Sequence, residues 1–576
     1  MKVSDYVNLF LQEKGVQFVF EMSGGMITHL LDSIYKENKI KLISMHHEQS
    51  AAFAADAVGR ITGIPGVAMA TSGPGATNLI TGIGSSFFDS SPTVFITGQV
   101  NRDELKKNDS IRQLGFQETD IVSIVKPITK RVWQVRNPEE IPHVLEMAFE
   151  IATSDRPGPV LIDIPMDVQR HEIFIENIKN YKTLKSQQEI HIDKSTLQKL
   201  FDDLKNAKRP LILAGGGINS SRSIELFREF IKIVKIPVVN SLMAMDVLPY
   251  NNYFRIGFIG SYGNRWANLA IAKSDFILVL GSRLDIRQTG SQTEDFRKNK
   301  IIYHVDCEKG EINNRITDCI ELISDLQSFF LTSLNVINNN EFKSRGDWIN
   351  EINSLKTIYP DTLELNNISG INPNIFMHNL SKNSSNAIAY VTDVGQHQMW
   401  AAQSLELNEN QKFITCGGMG SMGFGLPAAI GTSLSYPHSP VILIAGDGGF
   451  QSNIQEIQTV LHHKLPIKMI IFNNNCHGMV RQFQEDYFEG RYQSTLWGYS
   501  SPNFETIATA YGIKSKTITN ENEINDGIKW IWDKIDEPVL LQVMIDTFTN
   551  TYPKIGFGKH NYDMDPKIEE LHYKDD

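Results

Sequence analysis

Val441-Ile442-Leu443-Ile444-Ala445-Gly446-Asp447-Gly448 and Ile467-Lys468-Met469-Ile470-Ile471-Phe472-Asn473-Asn474-Asn475 decide how this chain is read. Each opens on an apolar, β-rich run of strand length. As neighbouring parallel strands they place Asp447 and Asn474 on one rim, at the carboxyl ends where open α/β sheets bind ligands. A carboxylate and a carboxamide there are hard oxygen donors that suit Mg²⁺, an ion usually shared with phosphates. Gly446 and Gly448 let the backbone approach a diphosphate, and a helix over residues 453–462 would turn its N-terminus toward an anion. The plainer alternative is an Asp-Gly turn and an ordinary Asn-rich loop. Strand context and spacing favour the ligand reading.

At 576 residues the chain has room for three domains of ordinary size. Its 41% hydrophobic and 21% charged content is that of a globular protein with several cores. A net charge of −11 argues against a nucleic-acid binder. No run approaches the roughly 20 apolar residues of a membrane span. Met1-Lys2-Val3-Ser4-Asp5-Tyr6 enters an amphipathic helix pattern with no signal-peptide core. The four cysteines, Cys307, Cys319, Cys416 and Cys476, show no metal-like spacing, and a reducing cytoplasm is the simplest compartment.

Apolar runs alternate with helical patterns in three blocks, which predicts three doubly wound, parallel-sheet α/β domains. Strands are expected at residues 16–20, 41–45, 66–71, 92–98 and 159–164 of the first block. The second has 210–214, 236–239, 276–281 and 300–306; the third has 387–391, 412–415, 440–445, 466–472 and 538–545. The domain plan is 1–174, 190–334 and 365–550, with a polar, aromatic tail at 551–576. A Lys-rich linker at 176–194 and a polar stretch at 335–340 separate the blocks, and no short-period repeat stands out.

In the first block, His46-His47-Glu48-Gln49-Ser50-Ala51-Ala52-Phe53-Ala54-Ala55-Asp56 puts Glu48 at a strand-to-helix turn, ahead of a strongly helical Ala-rich stretch. A carboxyl among small apolar neighbours there can exchange a proton with a bound heterocycle, or simply cap the helix.

The pattern GDG, roughly 25 to 30 residues, then NN resembles the diphosphate-binding motif of thiamine-diphosphate enzymes. The segment around Glu48 is similar to a motif of one of their families, the acetohydroxyacid synthases. Thr71-Ser72-Gly73-Pro74-Gly75-Ala76-Thr77-Asn78, Phe116-Gln117-Glu118-Thr119, Arg156-Pro157-Gly158-Pro159, Val394-Gly395-Gln396-His397, Gly420-Ser421-Met422-Gly423-Phe424-Gly425 and Gly478-Met479-Val480-Arg481-Gln482 continue the likeness in order. It spans roughly residues 1–550.

The resemblance implies pyrimidine-binding, middle flavin-type and diphosphate-binding domains. Glu48 would hydrogen-bond the aminopyrimidine ring of thiamine diphosphate; Gly24, Gly25, Phe116 and Gln117 would complete the catalytic pocket, the last two from a neighbouring subunit. Asp447, Asn474 and the Cys476 carbonyl would bind Mg²⁺. Val394, Gly395, Gln396, His397, Gly420, Gly446, Gly448, Gly449, His477 and Gly478 would approach the cofactor, and Met422 would bend it. Met479, Val480 and Phe483 would face substrate, Met479 and Phe483 sharing a helix face. Arg156, Gly215, Gly216, Gly217, Gly281, Ser282, Arg283, Asp285 and Asp306 would contact FAD in the middle domain. The implied activity is an acetolactate synthase-like carboligation: pyruvate loses CO₂ and its two-carbon unit passes to a carbonyl acceptor, in a cytoplasmic homodimer or homotetramer.

Four positions depart from the family: Glu21 and Ser23 replace Gly and Pro, Met166 replaces Lys, and Phe483 replaces Trp. They are expected near the substrate entrance, where an added carboxylate and a lost ammonium would favour a bulkier, less acidic acceptor. Residues 256–268 and 281–290 look closer to homologues associated with surface polysaccharides, some of which extend a nucleotide-linked keto sugar. A flavin-coupled pyruvate oxidase is a further alternative, separable by oxygen uptake; intact Glu48, Asp447 and Asn474 argue against a non-catalytic cofactor-retaining protein, which measurable CO₂ release would exclude.

Overall fold

Each apolar run expected as a strand forms one, and the runs assemble into three six-stranded parallel sheets. The computed structural model describes residues 1–108, 110–174, 192–337, 342–365 and 368–568. Most of the expected linker, much of the polar stretch at 335–340 and the last eight residues of the tail lie outside the described residues.

The first sheet contains β1 (Phe18–Met22), β2 (Lys41–Ser44), β3 (Gly66–Ala70), β4 (Thr93–Gln99), β5 (Arg131–Gln134) and β6 (Pro159–Pro165), in the order β2-β1-β3-β4-β6-β5. The second contains β7 (Pro210–Ala214), β8 (Val238–Asn240), β9 (Arg255–Phe258), β10 (Phe276–Leu280), β11 (Ile301–Asp306) and β12 (Ile320–Ile323), in the order β12-β11-β10-β7-β8-β9. The third contains β13 (Ala389–Thr392), β14 (Lys412–Ile414), β15 (Val441–Gly446), β16 (Ile467–Asn473), β17 (Lys514–Ile518) and β18 (Val539–Met544), in the order β14-β13-β15-β16-β18-β17. The first and third sheets thus share one strand order, a duplication invisible as a sequence repeat. The second has the order of dinucleotide-binding doubly wound sheets, 3-2-1-4-5-6.

Central strands are continuous apolar runs because helices cover both faces of each sheet. One core unites the first and third sheets, with Phe20, Ala68 and Phe95 on one side and Val391, Leu443 and Ile471 on the other. Between them lie the helices Glu48–Thr62 and Gly425–Ser435. Their approach is backbone to backbone: a Cβ on Gly431 would fall 2.2 Å from the Ala54 carbonyl oxygen. The Ala-rich stretch after Glu48 is therefore a packing surface as much as a helix former. No helix among the described residues is long and apolar enough to cross a membrane.

Two expectations change. The helix predicted over 453–462 is split: Asp447–Ser452 starts directly from β15, and Asn453 breaks it before the short helix Ile457–His462. Glu21 is not at a solvated entrance. It is 2% exposed, its Oε1 accepts from the Ser44 hydroxyl and burial raises its pKa.

Candidate active site

In a doubly wound sheet, ligands bind where consecutive connections leave a strand edge in opposite directions. The Gly-rich motifs fall at these positions in all three sheets. Between β1 and β3 lie Gly24-Gly25 and Thr71-Ser72-Gly73; between β7 and β10, Gly215-Gly216-Gly217 and Gly281-Ser282-Arg283; between β13 and β15, Val394-Gly395-Gln396-His397 and Gly446-Asp447-Gly448.

A cavity of about 1550 Å³ joins the second and third of these positions. Every residue of the third block expected at the cofactor, from Val394 to Val480, lines it. So do Arg156, Gly216, Gly217, Gly281, Ser282, Arg283, Asp285 and Asp306. Gly215 does not: it and Gly217 are needed because their turn packs on Gly281, whose carbonyl oxygen would lie 2.0 Å from a Gly215 Cβ. Asp285 caps the helix Ile286–Thr289, accepting from the Arg287 and Gln288 N–H groups. Arg156 donates to Glu308 at 2.8 Å, Glu311 at 2.7 Å and Ser90 Oγ at 2.7 Å.

At the β13–β15 position, Asp447 is 3% exposed and burial pushes its pKa up to about 7. Its Oδ1 accepts from Gly448 N–H, whereas its buried Oδ2 has no hydrogen-bond partner. Asn474, just past β16, donates from Nδ2 to Gln396 Oε1 at 3.2 Å and accepts the Cys476 N–H at Oδ1. Gly478 makes this possible, since a Cβ there would sit 1.9 Å from Gln396 Oε1. The His397 ring packs over Gly395 and Gly446. Burial pushes its pKa down to about 3, so the ring is neutral, and its buried Nε2 has no partner. Both of these unpartnered atoms belong to cavity-lining side chains. Among the described residues no group of three or more His, Cys, Asp or Glu is placed to hold a metal. A cation here would have to be held by a mixed oxygen set, and Asp447, Asn474 and Cys476 line the cavity together.

Two residues of this region escaped the sequence reading. Asp393, buried at the end of β13, accepts the N–H groups of Val394, Gly423 and Gly425 and so sets the Met422 turn. Its place directly before Val394-Gly395 was the available signal. Asn453 carried none.

Glu48 opens its helix at the first sheet, 6% exposed, with Oε2 accepting from Asn78 Nδ2 at 2.9 Å. Gly75 leaves it room: a Cβ there would lie 3.1 Å from Glu48 Oε1. Gln117 closes on Gly73, and Phe116 beside it is 79% exposed. Glu48, Gly24, Gly25, Phe116 and Gln117 gather around the 71–78 loop, and none lines the Asp447 cavity. Phe483 lies one helical turn beyond Met479, outside the lining, in an aromatic cluster with Tyr487 and Phe557. Phe557 belongs to a C-terminal strap tied to the second domain through Ile555 N–H to Ser261 O and Gly558 N–H to Ser291 Oγ.

Comparison with known proteins finds three domain matches along the chain. The thiamine pyrophosphate enzyme N-terminal TPP binding domain matches residues 1–124, the central domain 197–334 and the C-terminal TPP binding domain 393–543. The acetolactate synthase large subunit of Lactococcus lactis is 37% identical over 96% of this chain and 94% of its own length. The probable acetolactate synthase large subunit of Methanocaldococcus jannaschii is 36% identical over 95% and 92%. The acetolactate synthase isozyme 2 large subunit of Escherichia coli is 33% identical over 99% and 100%. With all three domain matches in order and relatives alike over nearly the whole length, this chain belongs to the acetolactate synthase large-subunit family of thiamine-diphosphate-dependent enzymes.

Proposed function

We propose that the protein decarboxylates pyruvate and transfers the remaining two-carbon unit to a second carbonyl compound, a second pyruvate being the simplest acceptor. The observation that carries this reading is that Gly395, His397, Gly446 and Asn474 line one cavity with Asp447, whose buried Oδ2 has no hydrogen-bond partner. Bound thiamine diphosphate supplies the electron sink that decarboxylation and carbon–carbon bond formation need. Asp447, Asn474 and the Cys476 carbonyl would hold Mg²⁺ against its diphosphate, with the neutral His397 beside them. Glu48 would exchange a proton with the aminopyrimidine ring through Oε1, the oxygen turned toward Gly75, while Asn78 holds Oε2. Met422, Met479 and Val480 line the cavity and would supply an apolar wall beside the bound cofactor.

The strand order of the second sheet and its glycine-lined position between β7 and β10 support FAD in the same cavity. The flavin would be structural, because decarboxylative carboligation has no net redox. Residues 1–174, 190–334 and 365–550 would then serve as pyrimidine-binding, flavin-type and diphosphate-binding domains. Since Glu48 and Asp447 of one chain do not share a cavity, two copies would complete each other's centres in a homodimer. With Glu21 buried, the charge argument for a bulky acceptor loses its carboxylate.

Incubation with pyruvate, Mg²⁺, thiamine diphosphate and FAD, with and without 2-ketobutyrate, tests the reading by mass spectrometry. Acetolactate with stoichiometric CO₂ is expected. Oxygen consumption without a carboligation product would make the protein an oxidase instead.

A further inference from the structure

Asn453 stands at the break between the helix beginning at Asp447 and the next turn, and it is 1% exposed. Its carboxamide is used on both sides. Nδ2 donates to the Gly423 carbonyl at 2.7 Å and to Gln49 Oε1 at 3.4 Å; Oδ1 accepts from Ser50 Oγ at 2.9 Å. Gly423 follows Met422, and a Cβ on Gly423 would lie 2.8 Å from Asn453 Nδ2, so the turn is shaped around this amide. Gln49 and Ser50 follow Glu48 in the first turn of its helix. A parallel contact reinforces the join: His46 N–H donates to Glu456 Oε1 at 2.9 Å, and Glu456 is fully buried.

We propose that Asn453 is a positioning residue that locks the Met422 turn to the start of the Glu48 helix. One planar amide, held at both ends, fixes two segments that come from the first and third sheets. The inference rests on the proposed activity, and it goes beyond it in one respect. Glu48 and Met422 of the same chain would serve different active centres of the dimer, so Asn453 would set the geometry of both. Asn453 does not line the cavity. Its loss should therefore appear in turnover rather than in cofactor binding, because a misplacement near 1 Å can cost up to about a hundredfold in rate.

The test compares wild type, Asn453→Asp, Asn453→Ala, Ser50→Ala and the Ser50→Ala/Asn453→Ala pair as full-length protein loaded with Mg²⁺ and thiamine diphosphate. Measured are kcat and KM for pyruvate by CO₂ release, cofactor affinity by titration, and the thermal midpoint. Asn453→Asp keeps the acceptor for Ser50 but loses the donor to Gly423, and Ser50→Ala cuts only the other leg. Expected is a drop of about tenfold to a hundredfold in kcat for both Asn453 variants, with cofactor affinity within about threefold of wild type. Ser50→Ala should lose less, and the double variant should be no worse than Asn453→Ala, because both legs run through one residue. Turnover within about twofold of wild type in Asn453→Ala overturns the proposal, as does a loss that only tracks lost cofactor or folded protein. Should Asn453→Asp and Asn453→Ala fail to fold, Ser50→Ala decides: unchanged kcat overturns the proposal, and a lower kcat with intact cofactor binding supports it. A folded wild type that binds thiamine diphosphate but releases no CO₂ from pyruvate overturns the activity itself, and this inference with it.

Discussion

Gln396 receives the Asn474 amide at Oε1 and spends its own N–H groups on Thr549 O at 3.0 Å and Gln482 Oε1 at 3.4 Å, so it cannot swing aside freely. Gly478→Ala would drive a methyl group into this carboxamide and into Asn474 Nδ2, 2.7 Å from the new Cβ. Loss of a supporting contact of this kind should weaken Mg²⁺-dependent thiamine diphosphate binding about tenfold or more, read by titration in a protein of unchanged secondary structure. Glu48→Gln should behave in the opposite sense. It keeps the shape and the Asn78 contact but removes proton exchange, so CO₂ release should fall by about 10²–10⁴-fold while cofactor still binds. Wild-type turnover in that variant would end the assignment of Glu48.

Strands were read correctly wherever a sheet covered on both faces demanded an unbroken apolar run. The four that the sequence did not announce, β5, β9, β12 and β17, are all edge strands. Partial exposure permits Arg131, Gln134, Glu321, Lys514 and Lys516 there, and β9 is further interrupted by Arg255 and Gly257. Site motifs were legible for a related reason: glycines at strand ends mark close approaches of backbone. Asn453 and Asp393 act through hydrogen bonds to segments remote in sequence, and such pairings leave no local pattern. The same holds for the clamp on the helix Pro373–Lys382, where His378 bonds Glu406 through Nδ1 at 2.8 Å and Asp361 through Nε2 at 2.9 Å. Burial alone would lower the His378 pKa, but the two carboxylates outweigh it and hold it above the ordinary value. A raised histidine pKa stabilises fully below the unfolded value of about 6.5, and the contribution fades as pH rises through the folded value. His378→Asn should therefore cost on the order of 2 kcal/mol at pH 6 and progressively less in alkaline buffer, measured as the difference in denaturation midpoints.

In the proposed dimer each chain would carry parts of two centres, and that reading makes a stoichiometric prediction. Glu48→Gln and Asp447→Ala homodimers should each be inactive. Mixed in equal amounts and allowed to exchange subunits, they should recover about a quarter of wild-type turnover, because half of the dimers become hybrids with one intact centre. No recovery despite exchange, followed by mass spectrometry, would place both residues in one chain's centre. The backbone contact at Gly431 bears on how such an assembly can move. Side chains that interdigitate can slide by changing rotamer, but a carbonyl resting against a glycine has no such freedom. The first and third sheets are thereby joined as one closely packed block. Outside that joint lie the exposed Phe116 loop and the strap that brings Phe557 against Phe483. An adjustment on binding pyruvate would then fall to these two small parts rather than to the joint between the sheets.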